Sequence, residues 1–356
     1  MNPRERIMAA LTWGWPDYVP WAVKPNHLPR GTWERMLRNM GLGLTVEQSV
    51  YRIEMHGVEV LERRSGNYVE RTYRTPVGEV SEVVRINLPS EAGERGGSWK
   101  VKGLIDRSED YDVLLYIIDH MVVKPDYEDF QIIDEELGVD GVVLTSVGYS
   151  PFMKLLVEYM GFRKLVVELN RRPGKVEEVL QTLHRKTLEA CRIVADSPAR
   201  LVLVGDNIDE NLVNPRFFEK YCLPYYREYT GILRSRGKVV GSHMDGRLRN
   251  LAGLIAESGF DFIHGFTPPP TGNLSIKDAR RLWDRDIAIW VNIPETLFYE
   301  EPEVIERSVR SFLRESAPGD GFMLGITETV PPRRRRIGYE TVMRTVLKHG
   351  RLPVKL

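Results

Sequence analysis

The sequence predicts an α/β protein, a (β/α)8 barrel (TIM barrel) with an N-terminal antiparallel β excursion, on three observations. Apolar runs suited to strands fall at 19–23, 58–61, 141–145, 200–204, 238–242, 261–264, 287–291 and 321–325, eight in all. Helical patterns separate the later runs, and repeated strand–helix units mean parallel strands. No run is followed by the glycine-rich fingerprint of an open dinucleotide-binding sheet, so closure into a barrel is favoured.

The elements follow in order. Asn2 can cap a first helix, Pro3 suits its first turn, and Glu5 can reach back as in a capping box. Residues 13–17 then turn the chain into the first strand at 19–23. A helical segment at 45–55 leads to the second strand at 58–61. The rhythm breaks next. Extended pieces at 68–73, 79–86 and 99–104 are separated by Gly66-Asn67, Thr75-Pro76 and Gly96-Gly97, an insertion of hairpins over about 64–105. Helical runs at 111–121 and 127–137 close it. The later helices are expected at 176–195, 215–236, 247–258 and 302–315, and the whole of 1–356 reads as one barrel domain.

Composition narrows the function classes. Hydrophobic residues make up 42% and charged residues 28% of the 356, which suits a large core under a charged surface. The formal net charge is zero, against the basic excess of a nucleic-acid binder. Cys191 and Cys222 lie in helix-like segments with no paired spacing, which disfavours a disulfide scaffold or a cysteine-rich zinc site. No apolar stretch reaches spanning length and no signal-peptide pattern opens the chain, so a soluble cytoplasmic protein is expected.

Polar side chains recur at one end of the apolar strands, where barrel enzymes place their chemistry. Trp21 and His27 belong to the first strand end, Tyr149 to the third, Asp206 and Asn207 to the fourth. His243 and Asp245 follow the fifth strand; His264, Asn292 and Glu328 end the sixth, seventh and eighth. His243, Asp245 and Glu328 can form a proton-transfer or metal-binding cluster. Each has a plainer reading. Asp245 can cap a helix starting near Arg247, Asp206 and Asn207 can shape a turn, and His264 can be a satisfied core histidine. Glu328 can be a surface carboxylate beside Arg333-Arg334-Arg335-Arg336, a run that is itself a solvated face or a dock for an acidic partner. Trp283, Trp290 and the Tyr225-Tyr226 pair read most simply as packing residues.

Several segments together resemble the uroporphyrinogen decarboxylase superfamily, which also contains corrinoid-dependent methyltransferases. They are Asn2-Pro3-Arg4-Glu5-Arg6 with Pro16-Asp17-Tyr18-Val19-Pro20, then Thr75-Pro76-Val77-Gly78, Ser150-Pro151-Phe152 and Gly205-Asp206-Asn207-Ile208. Further on come Leu223-Pro224-Tyr225-Tyr226, His243-Met244-Asp245-Gly246, Ser258-Gly259-Phe260-Asp261 and Gly321-Phe322-Met323-Leu324. The resemblance covers nearly the whole chain and implies the same barrel.

Within the superfamily, the decarboxylases carry an arginine-rich motif after the first strand that neutralises tetrapyrrole carboxylates. Here that stretch reads Val23-Lys24-Pro25-Asn26-His27-Leu28-Pro29-Arg30, a poor substitute. Thiol-methylating members bind zinc through a His-x-Cys pair after the fifth strand and a further cysteine after the last. By that resemblance His243 is retained, Asp245 replaces the first cysteine, and Glu328 falls at or beside the second. A His/Asp/Glu set is harder than a thiolate set, suited to zinc, another divalent ion or no metal at all. It matches an oxygen leaving group better than a sulfur nucleophile.

The expectation is therefore a methyltransferase that demethylates a methoxylated small molecule, a methoxy-aromatic being one such, and passes the methyl to a separate corrinoid protein carrying cobalamin. His243, Asp245 and Glu328 would polarise or protonate the ether oxygen. Asp206, Asn207 and Asn292 would orient the substrate, with Trp21 and Tyr149 as apolar walls. A decarboxylase using the same mouth, and a non-catalytic member binding a small molecule or a corrinoid protein, are the alternatives. Pairing into a homodimer is compatible with either.

Overall fold

In a computed structural model, residues 1–88 and 97–355 are described. Eight parallel strands form one sheet, Ala22–Val23, Gly43–Glu47, Gly141–Ser146, Leu201–Val204, Val239–His243, Phe262–Phe266, Ala288–Asn292 and Phe322–Gly325, in chain order. A parallel bridge from Trp21 to Leu324, with the Leu324 amide donating to the Pro20 carbonyl at 2.8 Å, joins the last strand to the first. The expected barrel is present.

Two compact units divide the chain. The first comprises Met1–Val50, Tyr127–Val147 and Val194–Leu356 and contains all eight barrel strands; the second comprises Tyr51–Asp126 and Gly148–Ile193. In the first, the opening helix Pro3–Leu11 has the capping box its sequence announces. The Glu5 amide donates to Asn2 Oδ1 at 2.9 Å and the Asn2 amide to Glu5 Oε2 at 3.1 Å. Ile7, Ala10 and Leu11 of this helix share one buried cluster with Ala22, Val142, Leu144, Leu201, Leu203, Phe262, Ala288, Trp290 and Met323. Those strand residues recur with a period of two, so they define the face of each strand that looks into the barrel.

One expectation fails. The second barrel strand is Gly43–Glu47, not 58–61, and the segment at 45–55 is extended rather than helical, its latter half forming the strand Tyr51–Met55. The physical reason is a close approach. The Leu44 carbonyl passes where a side chain on Gly141 would stand, so strands two and three can lie together only because position 141 is glycine. The β-branched and aromatic residues Thr45, Val46, Val50, Tyr51 and Ile53 favour extended backbone once that pairing exists. The 58–61 run belongs to the excursion.

In the second unit, that excursion is a four-stranded antiparallel sheet, Glu59–Ser65, Tyr68–Thr75, Gly78–Arg85 and Trp99–Lys102, in sequence order. Gly66 and Gly78 take positive φ at its two tight turns. The expected turn at Gly96-Gly97 falls partly outside the described residues. Tyr51–Met55 pairs separately with Met121–Pro125. Inside the unit, buried Glu168 accepts from the Tyr111 hydroxyl at 3.0 Å and from Arg172 at 2.8 Å.

The helices expected after the excursion are present, with adjusted ends. Pro302–Glu315 is as expected, 215–236 divides at Cys222 into Pro215–Tyr221 and Leu223–Arg234, and 247–258 shrinks to Ala252–Ala256. Cys191 and Cys222 are both buried, and neither is in a disulfide. Among the described residues no helix is long and apolar enough to cross a membrane.

Candidate active site at the barrel mouth

Strand parity builds the site. Two residues beyond the buried inward-facing positions come Lys24, Ser146, Gly205, His264, Asn292 and Gly325, while His243 stands four residues after Val239, which packs on the same cluster. The carboxyl ends of the strands thus turn a polar layer inward above an apolar floor. Trp290 is that floor, with its ring edge-on to His264 at 4.5 Å between centroids.

His243 and His264 are register partners on adjacent strands, and their Nδ1 atoms lie 2.9 Å apart. One of the two nitrogens must therefore carry a proton and the other a lone pair. His264 is buried and held well below the usual imidazole range, by burial first and then by the charges of His243 and Lys24, so it sits there as the neutral partner. His243 Nε2 faces Asp245 Oδ2 at 3.5 Å, a loose contact, and both side chains remain partly open. Gly265, at φ +79°, permits this packing, since a Cβ there would lie 2.5 Å from His243 Cε1. With its amide nitrogen turned toward Asp245, Asn207 donates at 2.6 Å to Oδ1 and 3.2 Å to Oδ2.

A second cluster spans strands six to eight. The Asn292 amide donates to Glu328 Oε1 at 3.0 Å and to Thr267 Oγ1 at 3.4 Å, while its oxygen accepts from the Thr327 amide at 3.0 Å. Thr267 in turn donates to the Gly265 carbonyl at 3.0 Å, beneath the His243 ring. Among the described residues, buried Glu328 Oε2 and Thr327 Oγ1 have no hydrogen-bond partner. An unpaired buried oxygen costs about 1–3 kcal/mol, more if charged, so these two atoms mark where a ligand would be gained.

Several expected residues are placed elsewhere. Asp206 is wholly buried and accepts a hydrogen bond from the Tyr226 hydroxyl of helix Leu223–Arg234. It stands one residue off the inward set and faces the helix layer, where the thiol of neighbouring Cys222 is raised by its own burial first and then by the charge of Asp206. Trp21, one residue before inward-facing Ala22, is 2% exposed and meets Tyr339 of the last helix edge-on at 5.3 Å. It is therefore no substrate wall. His27 is buried in the short turn Pro25–His27. Tyr149 belongs to the second unit.

The plain reading of Asp245 as a helix cap also fails. The Arg247 amide donates to Asp209 Oδ2 at 2.9 Å, and Asp209 occupies the space a side chain on Gly246 would need. Asp245 is thereby left to His243 and Asn207. In the basic run, Arg335 is buried against the Val330 carbonyl at 2.9 Å and Arg336 pairs with Glu340 at 3.2 Å. Sequence reasoning missed Lys24, Thr267 and Thr327. Lys24 pairs with Glu47 at 2.8 Å and is felt by His264; counting by twos from Ala22 would have found it.

Among the described residues no three of His, Cys, Asp and Glu come together as a metal ligand set. His243, Asp245 and Glu328 do not make the expected one, because Glu328 is held by Asn292 while Asp245 is held by His243 and Asn207.

Residues 100–346 match the family described as Uroporphyrinogen decarboxylase (URO-D). No curated protein matches the chain in sequence. Among solved structures, a methyltransferase from Methanosarcina mazei superposes with a TM-score of 0.59 at 13% identity, over 98% of this chain and 99% of that one. A broad-specificity GH5-4 endoglucanase from an uncultured bacterium reaches a TM-score of 0.41 at 9% identity, over 94% of this chain and 86% of the other. At 13% identity the likeness to the methyltransferase is one of fold.

Proposed function

Because this chain belongs to the uroporphyrinogen decarboxylase family, we propose that it works as a methyltransferase of that family, demethylating a methoxylated small molecule and delivering the methyl to a corrinoid protein. The observation that carries the reading is the pair of buried, partnerless oxygens, Glu328 Oε2 and Thr327 Oγ1, the first on the carboxylate that inward-facing Asn292 holds. Such a mouth offers both acceptors and proton donors to a small oxygen-containing ligand.

The chemistry follows from the leaving group. In an unactivated methyl ether the C–O bond breaks with its electron pair staying on oxygen, and that oxygen must gain a proton or an equivalent charge partner. The nucleophile that accepts the methyl would be the cob(I) state of cobalamin carried by the partner. This chain positions the ether and protonates the oxygen. His243 lies between the Asp245 carboxylate and the neutral His264 imidazole, which orient its partly open ring, and the proton it gives to the ether oxygen is replaced from solvent. Asn292 holds Glu328 through one oxygen and leaves the other for the substrate. No step is assigned to a metal, since no ligand set is formed.

The decarboxylase reading lacks its charge cage. Of the two cations after the first strand, Lys24 is engaged by Glu47, and Arg30 lines a groove of about 520 Å³ with Leu44 and Val46, the outward-facing side of strand two. Incubation of the protein with a reduced corrinoid protein and a panel of methoxylated phenols tests the proposal. Methyl–cobalt absorbance together with the free phenol is expected. Release of carbon dioxide from an acid substrate, without methyl transfer, would replace this reading with the lyase.

A further inference from the structure

The excursion ends on one side in an open strand. Glu59–Ser65 pairs only with Tyr68–Thr75 among the described residues, and all seven of its residues are exposed. It contains no proline and no bulge in its pairing, so its outer row of backbone amides and carbonyls forms a template for another strand. Two apolar side chains, Val60 and Leu61, stand on it at 43% and 38% exposure.

We propose that this edge pairs with the same edge of a second copy of the chain, antiparallel, about a two-fold axis through Leu61. A two-fold axis perpendicular to a continuous sheet keeps each face on its own side, so facing residues must have equal parity. Pairing about Leu61 sets Glu59 opposite Arg63 twice, Leu61 opposite itself, and Val60 opposite Glu62. Glu59, Leu61 and Arg63 share one face, giving a charge pair, an apolar contact and a second charge pair in line. Moving the axis to Arg63 would instead oppose two arginines, and moving it to Glu62 would oppose two glutamates.

Charge bookkeeping within one copy agrees. Arg63 has no ion-pair partner among the described residues, and Glu59 has only a distant one, Arg74 at 3.8 Å. By contrast Glu62, on the other face, is already engaged by Arg71 at 2.8 Å. The charges that would pair with the second copy are thus the ones to spare within a single chain. Five paired residues fall short of the roughly 1,200 Å² of a stable dimer, so the association is concentration-dependent.

Cysteine cross-linking on the full chain tests the register. Facing residues hold their Cβ atoms about 4.5–5.5 Å apart, within reach of a strained disulfide, and the two native cysteines are buried. Leu61→Cys should give a disulfide-linked dimer under mild oxidation, while Ser65→Cys, eight residues out of register from its own copy, should stay unlinked. In sedimentation equilibrium, Arg63→Glu should raise the dimer dissociation constant about tenfold, with circular dichroism unchanged. A monomer at every concentration up to about 1 mM, equal cross-linking at both cysteines, or a dimer indifferent to Arg63→Glu would each overturn the proposal.

Discussion

The two sides of the barrel wall carry polar residues of the same kinds and use them differently. Inward, His243 meets His264 and Asn292 meets Glu328, yet the His243 ring stays partly open and one carboxylate oxygen of Glu328 is partnerless. Outward, Asp206 accepts from Tyr226 in full burial, and Trp21 is wedged against Tyr339. A single residue of offset along a strand separates the two outcomes. Polarity at a strand end therefore does not identify a functional residue until its parity against the core is known.

This contrast can be broken by substitution on either side. The largest effect is expected inward. His243→Ala should lower methyl transfer about 10²–10⁴-fold, the usual contribution of a positioned proton donor, with the thermal midpoint little changed. A variant that keeps its rate would remove His243 from the chemistry. Outward, Trp21→Ala should cost about 3–5 kcal/mol of stability, as large-to-small core changes do, while turnover per folded molecule is retained. Chemical denaturation and active-fraction kinetics read the two separately, and a rate loss without instability would place Trp21 at the mouth after all.

Smaller effects sharpen the boundary. Glu328→Gln keeps the bond partner for Asn292 but loses the carboxylate charge, so a rate loss of about a hundredfold is expected with a normal urea midpoint. Equal loss of stability would mean that Glu328 is a packing residue. The smallest effect concerns pH. His264 binds its proton less readily folded than unfolded, where the ordinary value is 6.5. Below that value the unfolded chain takes up a proton that the folded one refuses, so stability falls as pH is lowered, by up to about 1.4 kcal/mol per pH unit. Urea midpoints between pH 8 and 5 should show this slope, and His264→Gln should flatten it.

The expected elements divide along the same line. Strands three to eight were legible because each is a short apolar run between helices, and buried parallel strands are apolar on both faces. The first helix was legible from Asn2, Pro3 and Glu5 alone. The second strand was not, because Gly43–Glu47 is short, mixed and adjacent to Tyr51–Met55, so that the two read together as one helical stretch. Its pairing depends on Gly141, about a hundred residues away in sequence, and no local pattern reports that contact. In the site, His243 with Asp245 could be read locally, since two residues apart on a strand end means one face. Asp206 was misread for the complementary reason: which face is inward depends on what the neighbouring strands bury.

By itself the sequence determined the class of the fold, seven of the eight barrel strands and the positions at which polar groups gather, since periodicity and capping are local properties of the chain. Only the tertiary structure decided which of those groups meet. It joined His243 to His264 and Glu328 to Asn292, gave Asp206 to Tyr226 and Asp209 to the amide of Arg247, and left one oxygen of Glu328 without a partner. The reason is that side-chain direction on a strand alternates at every residue, while the side that becomes the interior is settled only when all eight strands close.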